Sequence, residues 1–105
     1  MLLDSYKSIR ADRYSAKKSV REVSFLYLAP DAQSVSVIGD FNEWRPDANP
    51  MKRQPDGGWF TRIPIHHGHH KYQFCVNGST FVLDPRAQGV ARNEKNERVS
   101  IIAVS

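Results

Sequence analysis

The 105 residues, 40% hydrophobic and 25% charged, suit one soluble domain with a single core, and no stretch comes near the ~20 apolar residues that a bilayer span needs. The formal charge of +4 is concentrated near the amino terminus, where residues 1–24 hold six basic side chains against three acidic ones. The nearly neutral body argues against a nucleic-acid-binding face, and a lone Cys75 excludes an intrachain disulfide.

Taken along the chain, residues 1–19 lack strand alternation. Leu2, Leu3, Tyr6 and Ile9 fall at helical spacing, which predicts a short helix over about residues 2–10, followed by a linker from Arg13 to Ser19. Met1-Leu2-Leu3-Asp4 does not open a signal peptide, and with the single cysteine this points to a cytoplasmic protein. From Val20 the period is two: Val23, Phe25 and Tyr27 alternate with Glu22, Ser24 and Leu26, which predicts a half-buried strand. After the Ala29-Pro30-Asp31-Ala32 turn, Val35 and Val37 begin a second strand that ends at Gly39. A polar loop from Asp40 to Pro50 follows, and Met51-Lys52-Arg53 reads as a short strand before the Pro55-Asp56-Gly57-Gly58 turn.

Trp59, Thr61, Ile63 and Ile65 share one face of the next strand, and Pro64 predicts an edge or a bulge there. The run His66-His67-Gly68-His69-His70 reads as the turn of a hairpin. The returning strand sets Tyr72, Phe74 and Val76 on one face and Lys71, Gln73 and Cys75 on the other. Asn77-Gly78 is a two-residue hairpin signal, because both positions tolerate positive φ. Thr80 to Leu83 forms a short strand stopped by Asp84-Pro85; residues 86–97 read as irregular, and Val99 to Val104 as the final strand. Short strands separated by turn residues predict an all-β sandwich over residues 20–105, with residues 1–19 as a basic arm. The expected core is Val23, Phe25, Tyr27, Val35, Val37, Trp59, Ile63, Tyr72, Phe74, Val76 and Ile101.

Trp44 is the most informative residue for chemistry, since it sits in a polar loop with no apolar period to carry it inward. Sugar rings offer flat C–H faces ringed by hydroxyls, so a sugar-binding surface needs exposed aromatic planes beside amides and charges. Phe81 is a second candidate plane, and Gln73 and Lys71 project from the adjacent strand as candidate hydroxyl partners. The competing interpretation makes Trp44 a plug for the end of the sandwich and Phe81 ordinary core. Four histidines around one glycine point apart in a tight turn, so no functional metal is expected. The acids Asp40, Glu43, Asp47, Asp56, Asp84, Glu94 and Glu97 all occupy turns or loops, and nothing in their spacing selects a catalytic pair. Cys75 lies beside core positions and is expected to pack rather than react. No serine elbow, phosphate loop or zinc spacing occurs, so neither enzyme activity nor a cofactor is expected.

Val35-Ser-Val-Ile-Gly-Asp-Phe-Asn-Glu-Trp44, Asp56-Gly-Gly-Trp-Phe60, His70-Lys-Tyr-Gln-Phe-Cys-Val-Asn-Gly78 and Leu83-Asp-Pro85 follow one another in order. Over about residues 20–105 this series resembles carbohydrate-binding module family 48, which includes the isoamylase amino-terminal domain and the glycogen-binding domain of the AMP-activated protein kinase β subunit. The resemblance implies a non-catalytic immunoglobulin-like module that binds α-glucan such as glycogen, starch or a maltooligosaccharide. It places Trp44 on the first stacking tryptophan, Phe81 nearest the second, and Gln73 on a hydroxyl-binding lysine. The family's asparagine before the last strand falls on Val99, with Asn93 and Asn96 nearby, and Asn96 completes the candidate set. The alternative is a protein-interaction or scaffolding domain of glycogen metabolism whose sugar site has degenerated. Residues 1–19 are the candidate contact for a protein partner or a second copy; neither nucleic acid nor membrane is expected as a partner.

Overall fold

In a computed structural model, residues 20–105 are described, and they form eight strands with no helix. The helix expected over residues 2–10 and the linker Arg13–Ser19 lie outside the described residues. The strands are β1 (Val20–Leu28), β2 (Val35–Gly39), β3 (Lys52–Arg53), β4 (Gly58–His66), β5 (Gly68–Val76), β6 (Thr80–Val82), β7 (Gly89–Arg92) and β8 (Arg98–Val104). They make two antiparallel sheets: a three-stranded one in the order β1-β4-β3, and a five-stranded one in the order β2-β5-β8-β7 with β6 also paired to β5. The all-β sandwich expected from the alternation is the fold.

Alternation explains how the sheets close on each other. Phe25, Val35, Val37, Trp59, Ile63, Ile65, Tyr72 and Phe74 all point inward and are nearly fully buried, while Val23, Tyr27 and Val76 pack half-buried at the margin of the same core. Rings dominate its contacts: Phe25 meets Tyr72 edge-on at 5.2 Å, and Tyr27 lies 4.8 Å from Phe74. The Trp59 indole donates to the Ala29 carbonyl at 2.9 Å, so its one polar atom is satisfied inside. Tyr72 donates its hydroxyl to Asp84 Oδ2 at 2.6 Å, and Ser100 Oγ accepts from the Asp84 amide at 2.8 Å, which locks the Asp84-Pro85 corner to the sheet. Burial and the Asp84 carboxylate push the Tyr72 phenol far above the ordinary tyrosine range.

Four local expectations are corrected. Ile101 is not core: it pairs with Lys71 and Gly89 on the outer face, and its side chain lies against Gly89, while Ile102 takes the inward place. A shift of one residue flips every side chain in a strand. The histidine run is not a hairpin turn, because β4 and β5 belong to different sheets; it is the corner by which the chain crosses between them, with Gly68 at φ 130°. Residues 86–97 are not wholly irregular, since Gly89–Arg92 adds β7 at the edge of the larger sheet. Asn77 and Gly78 do adopt positive φ (55° and 75°), but pairing resumes at Val76 and Thr80, so the loop has three residues. Pro64 sits where β4 has β1 on one side only, because β3 is two residues long and pairs with Trp59 and Phe60.

Candidate functional site

The outer face of the larger sheet carries the site. By register, Ile38 (β2) lies beside Gln73 (β5), and Cys75 lies between Ser36 (β2) and Phe81 (β6). Ile38, Cys75 and Val99 are buried beneath this face, outside the main core. Two loops rise above it: the one between β2 and β3, carrying Trp44, and the one between β7 and β8. The result is an open cleft of about 640 Å³ lined by Trp44, Phe81, Lys71, Gln73, Ile38 and Asp40, with Asn93, Glu94, Lys95 and Glu97 from the second loop.

The first loop is held by short-range chemistry. A Cβ at Gly39 would come within 2.6 Å of the Phe41 ring and 2.7 Å of the Lys71 carbonyl oxygen, so the chain can turn here only as glycine. Asn42 is the hub of the loop. Its Oδ1 accepts from the Gly39 amide at 3.0 Å, and its Nδ2 donates to the Val37 carbonyl at 2.9 Å and to Asn49 Oδ1 at 2.7 Å. Phe41 turns inward and packs against Phe25, 6.1 Å between ring centroids. Glu43 and Trp44 then both take positive φ, 58° and 57°, and the Trp44 amide donates to the Gly39 carbonyl at 2.9 Å. A bulky residue in the left-handed region costs on the order of 1–3 kcal/mol, and such strain clusters where a side chain must be aimed. Here the strained residue is the one whose side chain lines the cleft.

Trp44 is half-buried rather than largely exposed, because the loop curls and lays the indole against the cleft wall. It is not part of the core cluster, so it does not plug the sandwich. Phe81 is 56% exposed on the same cleft. Lys71 donates Nζ to the Arg92 carbonyl at 2.9 Å, and Gln73 donates Nε2 to the Arg98 carbonyl at 3.1 Å, so both are oriented by backbone on the β7–β8 side. Asn96 is the one candidate the structure leaves outside the lining. Its positive φ of 66° and its carbonyl, which accepts from Arg92 Nη1 at 2.7 Å, serve the turn. Asn93 organises that turn instead, with Oδ1 accepting from the amides of Lys95 and Glu97 at 2.9 Å. The sequence reading missed the lining role of Ile38, Asp40, Glu94, Lys95 and Glu97; two asparagines spaced inside Arg92–Arg98 were the available sign of a tight turn beside the site.

The sequence matches the family Carbohydrate-binding module 48 (Isoamylase N-terminal domain) over residues 12–87. The chain belongs to this family. Among full-length proteins, this module is similar to the 1,4-alpha-glucan branching enzyme of Aliivibrio fischeri, 43% identical over 61 residues, covering 58% of this chain and 8% of that enzyme. The corresponding enzyme of Deinococcus radiodurans is 37% identical over 65 residues, covering 62% of this chain and 9% of its own length. That of Picrophilus torridus is 31% identical over 106 aligned positions, covering 99% of this chain and 15% of its own. The module thus spans only a small part of the relatives it matches. Among the described residues, no group of three or more His, Cys, Asp or Glu could hold a metal ion, and no helix is long and apolar enough to cross a membrane.

Proposed function

We propose that residues 20–105 are a non-catalytic module that binds α-glucan by stacking sugar rings on Trp44 and Phe81, with Gln73 and Lys71 contacting hydroxyls. The observation that carries this reading is that two aromatic side chains from separate elements, neither in the core cluster, line one open cleft with an amide and an ammonium. Flat apolar faces flanked by polar groups match the amphipathic surface of a glucose ring. The relatives named as 1,4-alpha-glucan branching enzymes support an α-1,4-linked chain as the ligand class. The cleft is shallow and open, so the dissociation constant is expected on the order of 10 μM to 1 mM.

The test is migration in native gels containing glycogen, amylose or an unrelated polysaccharide. Retardation by glycogen or amylose is expected. Trp44→Ala should abolish it with the melting temperature changed by only a few degrees, because the indole lies outside the core; Phe81→Ala should weaken it several-fold. Retardation by none of the polysaccharides would overturn the reading.

A second reading, a protein-interaction domain, is favoured by the opposite face of the molecule. Leu26 and Leu28 of β1 are 41% and 68% exposed, and Phe60 is the register partner of Leu26 on β4. Residues 1–19 would serve this reading as the contact arm. It predicts normal folding and association with another chain in the absence of sugar.

A further inference from the structure

His70 stands at the corner where the chain crosses from β4 to β5, with its side chain only 16% exposed. Its Nδ1 lies 2.8 Å from Asp40 Oδ1, and its Nε2 lies 2.8 Å from the His66 carbonyl oxygen. A backbone carbonyl can only accept, and so can an ionised carboxylate. Both contacts are hydrogen bonds at once only when both ring nitrogens donate, and only the imidazolium carries two N–H groups.

What this ring grips is the root of the Trp44 loop. Asp40 is tied to β5 twice more: its amide donates to the Lys71 carbonyl at 3.0 Å, and its Oδ2 accepts from the Lys71 amide at 3.0 Å. The next residue, Phe41, meets the His70 ring nearly edge-on, 6.2 Å between centroids at 70°. Asp40 also lines the cleft with Trp44, Lys71 and Gln73. We infer that His70 is a positioning residue for the sugar cleft, acting as an imidazolium that clamps Asp40 and so holds the loop bearing Trp44, with binding weakening as the pH rises and the ring loses its proton.

The surroundings of the ring make the effect specific. From the β2–β3 loop it faces the Asp40 carboxylate, and from the β4–β5 corner the His66 carbonyl. From β8 it faces only apolar Ile102 across the ladder, and on its own strand the Lys71 ammonium is turned away to the Arg92 carbonyl. Among the described residues Asp40 is therefore the one charged group at its edge. Once neutral, the ring presents a lone pair to one of two oxygens at 2.8 Å, and either the ring or the loop must move. His66, His67 and His69 are exposed, and among the described residues their rings have no such grip.

The inference rests on the glucan-binding reading for its consequence, but not for the state of the ring, and the experiment separates the two. Long-range proton–nitrogen spectra of the imidazoles, the Trp44 indole signal and glycogen retention are followed between about pH 6 and about pH 8.5. At the lower pH both ring nitrogens of His70 should be protonated. As it titrates, the Trp44 indole signal should move with it and the apparent affinity for glycogen should fall about five- to tenfold. His70→Gln should bind more weakly and without this pH dependence, while His67→Ala should keep the wild-type profile. A neutral His70 at about pH 6, a Trp44 signal that stays still as His70 titrates, or a His70→Gln protein with the wild-type profile would each overturn the inference. If no polysaccharide is retained at any pH, the glucan-binding function fails, while the ring-nitrogen and indole signals still decide the clamp.

Discussion

Asn42→Ala should unfold the domain more easily than any change to the aromatic residues of the cleft. The side chain makes three hydrogen bonds, two of them to the backbone of β2 at Val37 and Gly39 and the third to Asn49. Removing it leaves a backbone donor and a backbone acceptor without these partners, and each such loss costs about 1–3 kcal/mol when the group is shielded from water. Asn42 is half-buried, so water can partly replace it, and the lower end of the range is appropriate. Two losses then give about 2–3 kcal/mol, a large share of the ~5–15 kcal/mol that holds a small domain folded. At ~4–8 °C per kcal/mol, the melting temperature should fall by roughly 10–20 °C. Urea unfolding followed by circular dichroism would measure the free energy directly. Asn42→Asp should lose at least as much, because it keeps the acceptor for the Gly39 amide but sets a carboxylate oxygen against the Val37 carbonyl and Asn49 Oδ1, where the native amide donates. Glycogen retention should fall in both variants even below their melting temperatures, since Trp44 is no longer aimed. A loss of less than ~3 °C with wild-type retention would refute the role given to this residue as the hub of the loop.

Tyr72 gives the domain an alkaline limit. Its folded pKa is raised, whereas the unfolded chain releases this proton near pH ~10, so stability is intact below that pH and falls as the pH rises above it. Tyr72→Phe should remove that alkaline slope while costing about 1–2 kcal/mol at neutral pH through the lost bond to Asp84, and an unchanged slope in urea unfolding at high pH would contradict this. Deletion of residues 1–19 should leave the domain folded and its glycogen retention intact, because the described residues by themselves pair into two sheets around a core cluster; loss of folding or retention would place the segment inside the functional unit.

Most strand positions were legible because β1, β4 and β5 each set large apolar side chains at alternate positions, Phe25 and Tyr27, Ile63 and Ile65, Tyr72 and Phe74. The last strand was legible as a strand but not in its facing, since Val99-Ser-Ile-Ile-Ala-Val104 is apolar on both faces and occupies the middle of its sheet. β7 hid because its Gly89-Val-Ala-Arg92 run is short and lies within a polar stretch. The histidine corner looked like a hairpin because local sequence does not say which sheet a strand joins; a tight turn serves both cases. For the cleft, the loop from Gly39 to Trp44 was legible as turn chemistry, and Phe81 followed from its parity. The wall from Asn93 to Glu97 was not, since those residues meet Trp44 only once β7 and β8 are paired.

The separation of the aromatic pair from the packed interior has a consequence for how such domains diversify. Trp44 and Phe81 are displayed by elements whose positions are set by other bonds, those of Asn42 and of the β5–β6 ladder. Replacing either ring changes the shape of the cleft without opening a void among Phe25, Tyr72 and Phe74. On the proposed reading, a grip on polysaccharide can thus be strengthened, weakened or erased by single substitutions that folding does not oppose. A library varied only at positions 44, 73, 81 and 95 would sample ligand preference on a scaffold that stays put.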